Sequence, residues 1–293
     1  MFFGMLWFAL AWAGNAKQDD FDRHGNEFEV RYRDIGGSHR TVKFELSSRE
    51  VEEGLDARLA FPQKQAVKAQ VEAVRRYADG LHGVTLKAKG TRNGVKMSAS
   101  GTSRKKIKEA LKGGQKAANR GLDKFLEDEH WIRRGKDLFP DHIRWVKEES
   151  KHVKPAATAI MKGDNAREDI DLALRYLQAV PYEARKGGGD KGFRPPVSVL
   201  AKNKGDCDSK STLLLAMVRA KYPEVKGAIV YTKGHAFAAF ELPPKEGDKV
   251  IKEKGRVWVA AEPVGPQELK LGKVGKYSAK KIRGGKVDVV EVK

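Results

Sequence analysis

Cysteine is almost absent from this chain. Cys207 is the single cysteine among 293 residues. One cysteine excludes an intrachain disulfide and argues against a structural zinc site built on thiolates. The seven histidines show no spacing typical of metal ligands either. The sequence therefore predicts no metal site.

Long apolar runs are also scarce, apart from one at the N-terminus. Residues 1–16 are largely apolar and include small residues at Ala11 and Ala13, a spacing typical of signal-peptide cleavage sites, with Gly14-Asn15-Ala16 as a second candidate site. A basic stretch at the start is missing. Sixteen residues are short for a membrane span, which needs about 20. We expect residues 1–16 to be a cleaved signal peptide, no stable membrane span, and an exported protein, periplasmic or secreted.

Acidic residues are outnumbered by basic ones. The 58 lysines and arginines exceed the 39 acids and give a formal net charge of +19 and a sequence pI near 9.8. This charge favours anionic partners, among them an anionic polymer of the cell envelope. The basic residues are spread along the chain and form no nucleic-acid-binding motif, so no specific nucleic acid is expected. A merely solvated basic surface fits the composition equally well.

Cys207 stands at a predicted helix start. Gly205 and Asp206 precede it, and an apolar stretch that includes Leu213 to Val218 follows. The unpaired backbone N–H groups and the dipole at a helix N-terminus favour an anion, here the reactive thiolate. The pattern indicates a nucleophile. The alternative is a small, buried, chemically inert cysteine.

Two downstream segments offer a base and an acid. His235 opens a strand-like run that ends near Leu242, and Arg256 begins a second run that ends at Glu262. If the runs pair as a hairpin with Pro243 to Gly255 as its loop, His235 lies directly opposite Glu262, with Cβ atoms about 4.5–5.5 Å apart. Such a carboxylate would orient the imidazole. An ordinary strand histidine and a solvated strand-end acid are the alternatives.

These segments resemble the transglutaminase-like superfamily, in particular its bacterial cysteine peptidases. The likeness rests on Gly205-Asp206-Cys207, Gly234-His235-Ala236, and a following strand that ends in an acid, and it covers residues 165–265. The resemblance implies a papain-like fold and a catalytic triad of Cys207, His235 and Glu262, with Glu where the family usually has Asp. It also makes Gln178 a candidate oxyanion donor. A glutamine on an exposed helix face is the alternative, and the Cys207 backbone N–H is another candidate donor.

The predicted fold class is α+β, with a transglutaminase-like C-terminal domain and an N-terminal α+β appendage. Strand-like alternation at 28–32 and 41–46, and again at 84–88 and 95–99, predicts two hairpins. A basic helix begins near Arg104, and Gly113-Gly114 predicts a break in it. The expected domains are a signal peptide (1–16), the appendage (17–102), a helical connecting region (103–164) and the catalytic domain (165–293).

The sequence thus predicts an exported cysteine enzyme that acts on a protein or peptide substrate. Cys207 would attack a carboxamide or peptide carbonyl, His235 would move the proton, and Glu262 would orient His235. Peptide or amide hydrolysis is favoured over amine cross-linking, and the chemistry requires no cofactor. Two alternatives stay open: an inactive binding or scaffold module of the same fold, with anionic envelope partners, and a polyanion-binding protein that works through its lysines.

Overall fold

The computed structural model describes residues 17–34, 37–57, 60–135, 137–183, 192–265 and 269–292. The predicted signal peptide, residues 1–16, lies outside the described residues. The chain forms two compact units, of which unit 1 combines the residues before 60 with those from His142 onward and unit 2 runs from Ala60 to Asp141. None of the helices in the described ranges has the length and apolar character needed to cross a membrane.

The architecture is α+β, as predicted. The strands in chain order are β1 (Lys17–His24), β2 (Glu27–Arg33), β3 (His39–Glu45), β4 (Val84–Thr91), β5 (Gly94–Gly101), β6 (Trp131–Arg134), β7 (Asp137–Pro140), β8 (Gly227–Thr232), β9 (His235–Phe240), β10 (Val250–Glu253), β11 (Arg256–Ala261) and β12 (Asp288–Glu291). The helices are α1 (Ser48–Asp56), α2 (Gln63–Asp79), α3 (Arg104–Asp128), α4 (His142–Glu149), α5 (Lys154–Ile160), α6 (Ala166–Ala179), α7 (Pro196–Lys202), α8 (Cys207–Lys221) and α9 (Lys276–Arg283).

Unit 1 contains two antiparallel sheets. The first has the order β1-β2-β3, and the hairpin predicted from the alternation is its β2–β3 pair. The second has five strands in the order β10-β11-β9-β8-β12. Helix α8 is buried along most of its length, from Cys207 to Val218, and packs against β8 and β9 on the larger sheet. A largely apolar helix surface of this kind is typical of a central core helix.

The predicted appendage boundary at residue 102 is wrong for the first sheet. Alternate side chains of β2, including Phe28, Val30 and Tyr32, are buried in the same hydrophobic core as α5, α6 and α8. The Tyr32 ring meets the Tyr176 ring of α6 edge-on, with centroids 5.9 Å apart. This sheet is therefore part of unit 1, because its apolar face is covered by helices more than a hundred residues downstream.

Unit 2 contains α2, the β4–β5 hairpin, α3 and the short β6–β7 hairpin. Helix α3 continues through Gly113-Gly114, so the predicted break is wrong. The glycines of this helix instead allow neighbouring elements to approach closely. A Cβ atom at Gly114 would lie 2.9 Å from Leu86 Cδ2, and one at Gly121 would lie 2.6 Å from the Ala73 Cβ. The predicted boundary between 102 and 103 is wrong here too, since it would cut α3 from the elements on which it packs.

Candidate functional site

Cys207 is the first residue of α8. Asp206 caps the helix: its backbone is extended, and its Oδ1 accepts a hydrogen bond from the Ser209 N–H at 3.2 Å and another from the Ser209 hydroxyl at 2.6 Å. This capping arrangement explains why the helix begins at the cysteine. Cys207 itself is buried, with 5% of its surface exposed.

His235 is placed by a tight turn between β8 and β9. Gly234 has φ +82°, a conformation that favours glycine, and Thr232 pairs with His235 across the turn. The histidine thus begins a strand that packs on α8, and its imidazole interacts with Cys207 closely enough for Cys207 to raise the histidine pKa. The structure brings the predicted nucleophile and base into contact.

Glu262 follows directly after β11 and contacts His235. Its Oε1 is hydrogen-bonded to the histidine Nε2, and its Oε2 accepts a hydrogen bond from the Gly275 N–H at 3.1 Å. The Ser278 hydroxyl also hydrogen-bonds the carboxylate. Gly275 is the N-cap of α9, so the positive end of this helix faces the buried anion.

The strand register behind this contact differs from the predicted one. Strand β11 pairs with β9 so that Ala261 lies opposite Ala238, a shift of two residues. The cause is β10, which forms the tight hairpin with β11 inside the segment predicted as a loop. Extending the observed register places Glu262 opposite Phe237 and diagonal to His235. A shift of two keeps both side chains on the same face of the sheet, so they still meet.

The ionisation of the pair follows from its surroundings. Burial lowers the pKa of His235, but hydrogen bonds and charge from Cys207 and Glu262 outweigh burial and raise the pKa to about 10. Burial raises the pKa of Glu262, but the contacts with His235, Ser278 and the Gly275 N–H outweigh it and hold the pKa below its usual value. At neutral pH the histidine is therefore an imidazolium beside a carboxylate.

Gln178 does not have the predicted oxyanion role. Its Nε2 donates to the backbone carbonyls of Glu262 at 2.8 Å and of Leu269 at 2.9 Å, and its Oε1 accepts from the Leu269 N–H at 3.1 Å. Both amide hydrogens are therefore used within the protein, and none is left for a substrate oxygen. Gln178 is instead buried and fixes the backbone that carries Glu262.

A second polar cluster flanks Cys207 on its own helix. Burial, together with the charge of Asp208 and a hydrogen bond to it, raises the pKa of Asp206 to about 7. Asp208 Oδ2 lies 3.3 Å from the His142 Nε2, and the His142 Nδ1 lies 2.7 Å from the Tyr231 hydroxyl. His142 and Tyr231 were not predicted as site residues, since nothing in the local sequence pattern links them to Cys207.

Lys210 lies one turn into α8 and is fully buried. Its ammonium donates to the carbonyl oxygens of Leu177 at 2.9 Å and Val180 at 2.5 Å, at the C-terminal end of α6. Burial lowers the pKa of Lys210 to about 7, although the Asp206 charge opposes that shift. These two hydrogen bonds connect the helix that carries Cys207 to the helix that carries Gln178.

Comparisons of the chain with protein-family models, curated proteins and solved structures found no match. The assignment of a function therefore rests on the geometry of the site. Within the ranges that the structure describes, no group of three or more histidine, cysteine, aspartate or glutamate side chains could hold a metal ion.

Proposed function

We propose that this chain is a transglutaminase-like cysteine enzyme that cleaves or transfers the acyl group of peptide or amide bonds. One observation carries the proposal: His235 contacts both Cys207, at the N-terminus of α8, and the buried carboxylate of Glu262. A nucleophile, a base and a group that orients the base are the parts that covalent acyl transfer requires. The transglutaminase-like fold belongs to the same proposal.

In the first step the Cys207 thiolate attacks the substrate carbonyl carbon, and the carbonyl π electrons move to the oxygen. The backbone N–H of Cys207 is the proposed donor to this oxyanion, because it stands at the unpaired end of α8. When the carbon–nitrogen bond breaks, the His235 imidazolium gives its proton to the leaving amine. The product is a thioester on Cys207.

In the second step the neutral imidazole takes a proton from water, which attacks the thioester carbon. The carbon–sulfur bond breaks, a carboxylic acid leaves, and the thiolate–imidazolium pair forms again. An amine in place of water would give cross-linking. Glu262 keeps one imidazole tautomer throughout and stabilises the imidazolium, with a pKa near 10 for His235. The residues carry these steps without a cofactor, and we propose hydrolysis as the principal reaction.

A second candidate function is an inactive binding or scaffold module. The burial of Cys207, with 5% of its surface exposed, favours this candidate, because a substrate carbonyl needs access to the sulfur. The basic composition would then serve anionic envelope partners. Export of the mature protein after loss of residues 1–16 is proposed in either case, and mass spectrometry of protein from its native host would detect the new N-terminus.

A peptide library tests the proposed function. Purified protein is incubated with the library in the presence and absence of added primary amines, and products are identified by mass spectrometry. We expect hydrolysis by the wild type and none by Cys207→Ala, with matching circular dichroism spectra. Equal turnover by the two proteins would eliminate Cys207 as nucleophile, and turnover by neither would favour the binding module.

A further inference from the structure

Only two large hydrophobic side chains among the described residues are strongly exposed, and both border the candidate site. They are Tyr182, 44% exposed, and Tyr277, 46% exposed. A tyrosine ring offers a large contact area and a polar end, which is why this side chain is enriched where proteins contact a partner.

Tyr277 is held on the histidine side of the site. Its ring meets the His235 ring edge-on, with centroids 6.3 Å apart and planes at 79°, and its hydroxyl donates to the Lys233 carbonyl. It stands on the first turn of α9, the helix whose N-cap binds the Glu262 carboxylate. The ring position is therefore fixed relative to the imidazole.

Tyr182 is held on the cysteine side. It forms a parallel bridge with Gly205, two residues before Cys207. The Glu183 N–H donates to the Gly205 carbonyl at 3.1 Å, and the Gly205 N–H donates to the Pro181 carbonyl at 3.3 Å. The backbone around Tyr182 is thus tied to the loop that leads into the reactive cysteine.

The segment that supplies Tyr277 is strongly basic. From Lys270 to Lys286 the sequence has seven basic residues and no acidic one. Lys276, Lys280 and Arg283 are exposed on α9, and none of the three forms an ion pair with a described acid. The helix dipole favours Lys280 and Arg283 in the last turn, but Lys276 stands in the first turn, where a cation is unfavourable, and four residues from the like charge of Lys280. The Lys281 ammonium lies 5.1 Å from the Tyr277 ring centroid and adds positive charge to that ring's surroundings.

We propose that the substrates are acidic peptides, with aspartate or glutamate side chains within a few residues of the scissile bond. The peptide backbone covers Tyr182 and Tyr277, and the substrate carboxylates lie against the basic surface of α9. This inference rests on the proposed function, because it names the substrate class of the same site. Carboxylates are the peptide groups that complement the basic segment from Lys270 to Lys286.

Three peptides of equal length and identical scissile bond test this inference: one with flanking glutamates, one with glutamines and one with lysines. We expect kcat/KM for the acidic peptide to exceed that for the glutamine peptide at least tenfold at about 0.05 M salt. The advantage should shrink at 1 M salt, where the screening length falls to about 3 Å. Equal kcat/KM for the three peptides would overturn the inference.

Two double variants test whether the preference for acidic peptides arises from α9. Lys280→Gln with Arg283→Gln removes two charges from α9 and should reduce the acidic-peptide advantage at least fivefold. Lys105→Gln with Lys108→Gln removes two charges from α3 in unit 2 and should preserve the advantage. Equal losses in both double variants would mean that net charge, rather than α9, attracts the peptide, and would contradict the inference.

Tyr277→Ala supplies an independent readout. We expect a higher KM for both the acidic and the glutamine peptide. A change confined to kcat would show that the ring positions His235 and does not bind the substrate. The failure of this inference differs from the failure of the proposed function. If the glutamine peptide is turned over in a Cys207-dependent way but acidic peptides have no advantage, this inference is wrong and the proposed function stands. No turnover of any peptide ends both.

Discussion

Removing the charge of Glu262 should impair the candidate site far more than it impairs the fold. In Glu262→Gln the side chain keeps its length, but an amide replaces the anion that bonds to the His235 Nε2 and to the Gly275 N–H. The amide NH₂ can face the imidazole only by donating to Nε2. That choice places the hydrogen of the neutral imidazole on the other ring nitrogen, and the lost anion no longer stabilises the imidazolium of the thiolate–imidazolium pair.

The expected loss follows from the role of the pair. Proton transfer by a positioned side chain contributes about 10²–10⁴-fold to a rate, and the amide deprives His235 of the correct tautomer. We therefore expect kcat for Glu262→Gln to fall on the order of 10²–10⁴-fold. The midpoint of urea unfolding at neutral pH should also fall, because the raised pKa of His235 stabilises the fold and the amide removes that contribution, but the circular dichroism spectrum should stay native.

Glu262→Asp distinguishes the effect of the negative charge from the effect of side-chain length. Because Glu262 is diagonal to His235 in the observed register, the long side chain spans an offset of two residues. Aspartate is shorter by one carbon–carbon bond, about 1.5 Å. It can approach the imidazole or the N-terminus of α9, but not both at their present distances. We expect activity between those of the wild type and Glu262→Gln.

Single-turnover and steady-state assays on one peptide substrate measure these effects. Glu253→Gln on β10 is the matched control, since that side chain is half-buried, lies away from His235 in the sheet order and, among the described residues, pairs only with Lys254, at 3.9 Å. A Glu262→Gln enzyme within about threefold of the Glu253→Gln enzyme would refute the reasoning, because tautomer control normally contributes much more. Another group would then have to orient His235.

Three further outcomes follow from the same structure. The alkaline limb of the kcat/KM profile should lie near pH 10, where the His235 imidazolium loses its proton. In Glu262→Gln this limb should move to lower pH, and an unchanged limb would contradict the contact between Glu262 and His235. Lys210→Met should destabilise unit 1 by about 1–3 kcal/mol for each buried carbonyl that loses its donor, and an unchanged urea midpoint would show that these bonds contribute nothing. Gly121→Val should destabilise unit 2 by about 1–3 kcal/mol, because its Cβ would lie 2.6 Å from Ala73, and thermal unfolding that matches the wild type would refute that packing.

The sequence was sufficient to predict the contact of His235 with Glu262, although the predicted register was wrong. The missed element was β10, a short strand in which only Ile251 is buried and Lys252 is exposed. It connects to β11 through Lys254 and Gly255, which have φ +50° and +76°. The error was an even number of residues, so the side chains stayed on the correct face. A slip of one residue would have separated them.

The remaining features depend on packing between distant parts of the chain. The buried side chains of β2 pack against helices far downstream in the chain, and Gln178 hydrogen-bonds to carbonyls more than eighty residues away. Local patterns specify which face of a strand or helix is buried, but they do not specify what covers it. The domain boundaries and the oxyanion role of Gln178 were therefore mispredicted.

The central claim is that Cys207 forms a covalent acyl intermediate with the help of His235. Rapid mixing with a peptide p-nitroanilide, acid quenching and intact-mass spectrometry would test it most directly. The account predicts a mass increase equal to one acyl group, located on the peptide that contains Cys207, and none in Cys207→Ala. In His235→Gln the adduct should form at least a hundredfold more slowly. Substrate turnover by the wild type with no adduct on Cys207, and an undiminished rate in Cys207→Ala, would contradict the account.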